Sequence, residues 1–199
     1  MNILVPIGLA TILYLIFIFW YRGWGKPMSK EEIHERIQNM KKAAGKEDEP
    51  DGEIIKHFRE VAESDDGKEF FMVNLIKYKD NDPHSEAMAA NARYSKAIFP
   101  LLLKHGSFPV FMSNVKGRFL YSKDSDDWDQ VAIIRYRSRK DFFEMAADAG
   151  KKNLDKDKWL SIEKTNVFPV KQILFLGPIR IIVGAVLLIL TLFTILLFP

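Results

Sequence analysis

The chain contains no cysteine, which removes disulfides, thiolate nucleophiles and cysteine-ligated metal clusters together. It carries no charge in two long stretches, Ile3 to Tyr21 and Ile181 to Pro199. It has no glycine-rich phosphate loop and no Gly-x-Ser-x-Gly elbow, so nothing signals nucleotide cradling or serine-hydrolase chemistry. His34-Glu35 is not followed by a second histidine four positions after the first, and the zincin pattern fails. No metal site is expected. Lysine and arginine are interspersed with acid rather than gathered in a block, which argues against a nucleic-acid partner.

What is present starts with the two uncharged runs. At about 1.5 Å per residue each makes a helix of about 28 Å, close to the hydrocarbon thickness of a bilayer. Residues 1–24 and 176–199 are therefore expected to be transmembrane anchors, with the lipid bilayer as a partner. The first run lacks a basic residue before it and ends in Trp20-Tyr21-Arg22-Gly23-Trp24 rather than a small-residue cleavage site, so an uncleaved anchor is favoured over a signal peptide. Trp20, Tyr21 and Trp24 suit the headgroup layer. Arg22, Lys26 and Lys30 follow the first run, and Lys164, Lys171 and Arg180 precede the second. The positive-inside rule then places the intervening domain in the cytoplasm and both termini across an inner or plasma membrane.

Residues 25–68 read as a two-helix juxtamembrane segment. Ser29 and Glu32 form a capping-box pattern ahead of Ile33, Ile37 and Met40, and a charged linker from Ala43 to Pro50 follows. Asp51 is placed to cap a second helix with Ile54, Ile55, Phe58, Val61 and Ala62 on one stripe.

Residues 69–175 read as one α+β domain. The near-continuous apolar run from Phe70 to Ile76 is expected to be a strand covered on both faces. Pro83 suits the first position of a helix beginning near His84, Pro100 should kink or interrupt it, and Gly106 should end it. Phe108 to Ser113, Lys116 to Ser122 and Trp128 to Tyr136 look like strands, the last two separated by the acidic turn Asp124 to Asp127. That turn lacks the glycine and terminal glutamate of an EF-hand loop, so it reads as a hairpin turn rather than a calcium site. Ser138 is positioned to cap a helix with Phe142, Phe143, Met145 and Ala146 inside. A short helix around Trp159 and Ile162 precedes a last strand, Val167 to Phe175. The order strand, helix, strands, helix, strand predicts a ferredoxin-like antiparallel sheet with its helices on one face. Val73, Ile76, Ile134 and Phe168 are expected on the opposite face, where they argue for a homodimer through the sheet.

Several of these patterns are similar to the DUF1330-type group of dimeric α+β barrel proteins. Phe71-Met72-Val73-Asn74-Leu75-Ile76-Lys77-Tyr78-Lys79-Asp80 resembles its opening strand. Tyr94, Pro100-Leu101-Leu102 and His105-Gly106 resemble its first helix and glycine turn. Trp128-Asp129, Val131 to Tyr136 and Ser138 to Met145 resemble its third strand and second helix. The resemblance spans about Glu69 to Phe175 and implies a scaffold with an inner cavity. The wider superfamily includes cofactor-free monooxygenases, haem-dependent enzymes and small isomerases, so fold alone implies no reaction. The chain departs from the group at Arg137-Ser138, where Pro-Ser is usual, around Ala149-Gly150-Lys151, where a tyrosine is usual, and near Ser161-Ile162-Glu163, where a basic residue is usual.

Five residues stand out as ligand-binding candidates, each with a plainer reading. Asn74, polar in an apolar strand, either orients a ligand carbonyl or bonds to backbone. Arg135 either grips a carboxylate or faces solvent. His105 is a general base, a haem ligand or a helix C-terminal group. Tyr94 and Tyr136 either line a cavity or sit in the core with satisfied hydroxyls. No cofactor is indicated, and haem is the lesser alternative. The expectation is a membrane-anchored small-molecule-binding domain of unassigned activity, such as a cofactor-light oxidoreductase or isomerase acting on an apolar substrate. The alternative is a non-catalytic accessory subunit of a larger membrane complex, with Gly184-Ala185, Thr191 and Thr194 as packing surface.

Overall fold

The computed structural model describes residues 4–23, 25–43, 52–123, 125–173 and 179–197. Trp24, the linker residues 44–50, Asp51, Asp124 and Phe175, all singled out above, lie outside them. The chain forms two compact units, Met1–Trp24 with Gln172–Pro199, and Gly25–Lys171.

The first unit holds α1 (Leu4–Arg22) and α7 (Ile179–Leu197), both long and apolar enough to cross a membrane. They meet through Tyr14, whose hydroxyl donates to the Arg180 carbonyl at 3.4 Å. A Cβ on Gly184 would stand 3.3 Å from the Tyr14 ring. Gly184 therefore serves close packing inside the unit. Thr191 and Thr194 donate to the carbonyls of Leu187 and Leu190, one turn back on their own helix.

The second unit is α+β, with element order α2 (Lys30–Ala43), α3 (Glu53–Glu63), β1 (Phe70–Tyr78), α4 (Glu86–Lys104), β2 (Phe108–Asn114), β3 (Gln130–Tyr136), α5 (Arg139–Lys151), α6 (Asp155–Ser161) and β4 (Ile162–Val170). The four strands form an antiparallel sheet in the order β2-β3-β1-β4. This is the ferredoxin-like arrangement that the order of elements predicted.

Local chemistry accounts for the boundaries. Ser29 and Glu32 bond reciprocally, backbone N–H to side chain in both directions, ahead of α2. The N-cap of α3 is Gly52, which offers no side-chain bond. Ser85 caps α4 by accepting from the Met88 N–H, so the helix starts at Glu86 and Pro83 stays in the preceding turn. Pro100 does not interrupt α4. It and Lys96, whose carbonyl loses its donor to the proline ring, are both exposed, and water can satisfy that oxygen. Gly106, at φ 65°, closes the helix: its N–H bonds to Leu103 and that of Ser107 to Leu102, the paired bonds of a Schellman stop. Ser138 caps α5 through the Asp141 N–H.

Two strand assignments change. Lys116 to Ser122 forms no strand; it belongs to the loop joining β2 directly to β3, where its alternating side chains find no ladder. The last strand begins at Ile162 and ends at Val170, so α6 stops at Ser161 and Ile162 is strand.

Register fixes the two faces, because directly opposed residues point the same way. Phe70, Met72, Ile134 and Tyr136 join Leu101, Leu102, Met145 and Ala149 in a core between the sheet and the helices. Ile134 is therefore on the helix side, and Ile76, in step with Met72, is there too; neither lies on the outer face as expected. The outer face presents a row across all four strands: Phe111, Ile133, Val73 and Phe168. Phe111 is 50% and Phe168 43% exposed. A second core joins Met28, Ile33, Ile37 and Ala62 to Phe143 of α5, so α2 and α3 pack onto the α5 side of the domain.

Candidate functional site

Two of the five candidates come together. Tyr136, near the end of β3, is 7% exposed, with its ring stacked on Phe70 at 5.4 Å and edge-on to Phe142 at 5.0 Å. Tyr94 lies on α4 and is partly buried. Burial pushes its hydroxyl up to about 12, helped by the negative charge of Asp155. Burial pushes the Tyr136 hydroxyl further up, and the neighbouring Tyr94 adds to the effect. No hydrogen bond from either hydroxyl is formed among the described residues, and neither oxygen is fully enclosed, since Arg139 Nε is the one fully buried side-chain polar atom among them without a partner. Two phenols held protonated at neutral pH are donors: they suit a ligand's carbonyl or carboxylate oxygen and cannot act as bases there.

Lys158 on α6, which the sequence reading passed over, belongs to this neighbourhood. Burial lowers its pKa and Asp155, the same carboxylate that acts on Tyr94, partly restores it. Its ammonium lies 5.2 Å from the centre of the Trp159 ring. The signal available in sequence was Asp155 three residues before Lys158 in a helix that also carries an aromatic residue.

The other three candidates are engaged within the protein. Asn74 faces the helix side, and its amide donates to the carbonyls of Met72 (3.2 Å) and Ala132 (3.4 Å). Arg135 is 1% exposed rather than solvent-facing. Its Nε and Nη2 each lie 2.9 Å from Glu69 Oε2, Nη1 donates to the Gly106 carbonyl at 2.7 Å, and the Phe108 ring lies 5.4 Å away. The carboxylate it grips is the chain's own.

His105 caps α4 and sits among acids of α5, with Nε2 3.1 Å from Asp148 Oδ2 and Nδ1 3.8 Å from Glu144 Oε2. His105, Asp141 and Glu144 offer ligand atoms within 4.8 Å of one another. Each acid here already has a cation: Arg137 on Asp141, Arg36 on Glu144, Lys104 on Asp148. Burial alone would raise Asp141, but Arg137 and Ser138 overcome it and hold the carboxyl below its usual 3.8. Lys104, then His105, hold Asp148 well below the carboxylate range. A divalent ion would have to displace these cations, so the donor set does not fit a metal centre. It fits a charged network that ties α2 and α4 to α5.

The tyrosines make a measurable pH prediction. In an alkaline titration of the full chain followed by phenolate absorbance, Tyr94 should ionise near 12 and Tyr136 later still, out of six tyrosines in all. Tyr94→Phe should remove the step near 12. A folded pKa above the ordinary 10.0 stabilises the fold fully below that value, and the contribution is lost as pH rises through the folded pKa. Domain stability should therefore fall from about pH 10 upward. Ionisation of both with the exposed tyrosines would contradict the buried pair.

No family model matches the chain, and no curated protein matches it. Among solved structures it is similar to RPA0582, a protein of unknown function from Rhodopseudomonas palustris, at 22% identity and a TM-score of 0.53. The match covers 64% of this chain and 97% of that one. The methylated form of RPA0582 matches at 22% identity and a TM-score of 0.52, covering 65% and 96%. The likeness is one of fold.

Proposed function

We propose that this chain is a membrane-anchored, ligand-binding α+β domain that works as a homodimer of the DUF1330-type dimeric barrel kind. The observation that carries the reading is the pair of buried phenols, Tyr94 and Tyr136, protonated and without partners among the described residues. Lys158, whose positive charge is partly withdrawn from water, is acted on by the same Asp155 carboxylate as Tyr94. A small, largely apolar molecule bearing a carbonyl or carboxylate meets these groups: its body against Phe70 and Phe142, its oxygen at the hydroxyls. The dimer is supported by the outer row Phe111, Ile133, Val73 and Phe168, an apolar stripe of the kind that seeks cover. Two apolar helices support anchorage in the bilayer, and Arg22, Lys26, Lys30, Lys171 and Arg180, near them in sequence, support a cytoplasmic domain.

Native mass spectrometry of the full-length protein, gently extracted from its own membrane, tests this. The expected result is a dimer carrying a stoichiometric small molecule, with occupancy reduced about tenfold or more in Tyr94→Phe/Tyr136→Phe. Removing two hydroxyls from unpaired positions should leave the fold intact. A wild-type protein without ligand, assembled with unrelated subunits, would overturn the reading in favour of an accessory role.

A further inference from the structure

Asn74 is held by one end of its side chain. Its nitrogen donates to the carbonyls of Met72 and Ala132, and two carbonyl oxygens can be met only by the NH2 side of an amide. Those bonds fix which way the group points. The other end, Oδ1, accepts no hydrogen bond among the described residues. Nor is it fully enclosed, because the one fully buried side-chain polar atom without a partner among those residues is Arg139 Nε. Asn74 thus turns an oriented acceptor towards the layer between sheet and helices.

The way α4 lies on β1 tells what shares that layer. The buried stripe of α4 includes Asn91, Tyr94, Ile98, Leu101 and Leu102, the spacing of one helical face. At one end, the Asn91 side chain bonds the Tyr78 hydroxyl, which reaches back to Gln130 Oε1 at 2.9 Å, level with Ile76. At the other end, Leu101 and Leu102 pack with Phe70 and Met72, and Ile98 joins the same cluster. The helix therefore runs antiparallel above β1. Tyr94, about one turn beyond Asn91, comes over the middle of the strand, where Asn74 stands. Tyr136 opposes Phe70 at the beginning of the strand, and Tyr94 is the neighbour whose charge acts on it.

Two phenols and an amide oxygen then line one stretch of the layer, and their chemistry is complementary. The phenols, held protonated, donate; the amide oxygen can only accept. A ligand that satisfies all three carries a hydrogen-bond donor beside its carbonyl. A plain ketone leaves Oδ1 unmet. A carboxylate has acceptors only at neutral pH, and sets one negative oxygen against another.

We propose that Asn74 is the specificity-determining residue of this site, its Oδ1 selecting a small, largely apolar molecule with a neutral N–H or O–H next to its carbonyl. A primary amide is the simplest such group. The inference rests on the ligand-binding reading of Tyr94 and Tyr136 and narrows the ligand.

Phenylacetamide, phenylacetone and phenylacetate provide the test, since they share one body and differ only in the group beside the carbonyl. Each is titrated by calorimetry into the full-length chain in detergent micelles, with protein-free micelles as the blank. The amide should bind the wild type about tenfold tighter than either of the others, the scale of one hydrogen bond to an otherwise unmet polar atom. Asn74→Leu, similar in size and without an acceptor, should bind amide and ketone alike, with thermal unfolding run alongside to check the fold. Where that variant does not fold, the wild-type comparison decides alone. Tyr94→Phe/Tyr136→Phe should weaken amide and ketone together and keep the preference between them. Equal binding of amide and ketone by the wild type, tighter binding of the carboxylate, or a preference that survives in folded Asn74→Leu would overturn the role of Asn74 and leave the ligand-binding reading standing. A wild-type chain that binds none of the three at millimolar concentration would overturn both.

Discussion

Arg135→Ala is expected to lower the unfolding free energy of the domain by about 3–5 kcal/mol, the range for breaking a buried ion pair. The side chain is 1% exposed and holds two elements at once. One arm meets Glu69 just ahead of β1; the other meets the carbonyl of Gly106, where α4 has just stopped and β2 is about to begin. Alanine removes both bonds, leaves the Gly106 oxygen short of a donor and opens space beside Phe108. Arg135→Lys keeps the charge but replaces a planar fork with a point, so it should recover some of the loss and not all. Denaturant unfolding of the full chain in detergent, followed by tryptophan fluorescence, measures the difference. A loss below about 1 kcal/mol for the alanine variant would mean that this guanidinium is not a tie between strand, helix stop and hairpin.

Gly67→Ala should cost a comparable amount, about 3 kcal/mol, for a reason that lies wholly in the backbone. Gly67 has φ 70°, and a Cβ there would stand 2.3 Å from the Gly25 carbonyl oxygen and 2.9 Å from the Pro27 nitrogen. These are main-chain atoms, so no side-chain rotation relieves the clash. The turn also holds the chain directly: Asp65 Oδ2 accepts from the Met28 N–H at 2.9 Å, and its other oxygen from Gly67 at 3.1 Å. Pushing residues 25–28 away therefore draws Met28 out of the core it shares with Ile33, Ile37 and Phe143. Gly150→Ala is the contrast. Gly150 lies in α5 with open space around it, and alanine should stabilise by about 0.5–1 kcal/mol through helix propensity. Equal effects at the two glycines would refute the steric argument.

Legibility in the sequence followed the range of the interactions. The Ser29–Glu32 box, the Ser138 cap and the Gly106 stop are made within a few residues and could be read directly. The order of strands and helices followed from hydrophobic runs and turns. The segment Lys116 to Ser122 failed because alternation marks a strand only where a neighbouring edge accepts it, and here β2 and β3 pair with each other. Ile162 to Asn166 failed in the other direction. Glu163, Lys164, Thr165 and Asn166 look like helix or loop, yet Lys164, Thr165 and Asn166 pair with β1 from Leu75 to Lys77, Ile162 pairs with Tyr78, and Glu163 falls at the register shift between them.

Among the candidate residues, sequence could nominate Arg135 but not its partner Glu69, 66 positions away and joined by the fold. It could nominate Tyr94 and Tyr136, since each is an aromatic hydroxyl in an apolar context. It could not show that the two adjoin, nor that Lys158 shares Asp155 with one of them, because those relations exist only once α4, β3 and α6 have packed.

The register of β4 carries a mechanical consequence. Phe71 opposes Val170, so the beginning of β1 and the finish of β4 lie side by side, and β4 has a neighbour on one flank only. Tension applied at Lys171 therefore pulls on the first rung of a ladder from its open end. Rungs loaded that way give way in succession, whereas strands pulled from opposite ends must break many at once. A lateral tug transmitted through the chain beyond β4 would unzip this strand at low force, exposing Met72, Val73 and Asn74 along one flank while β1 stays paired to β3 on the other.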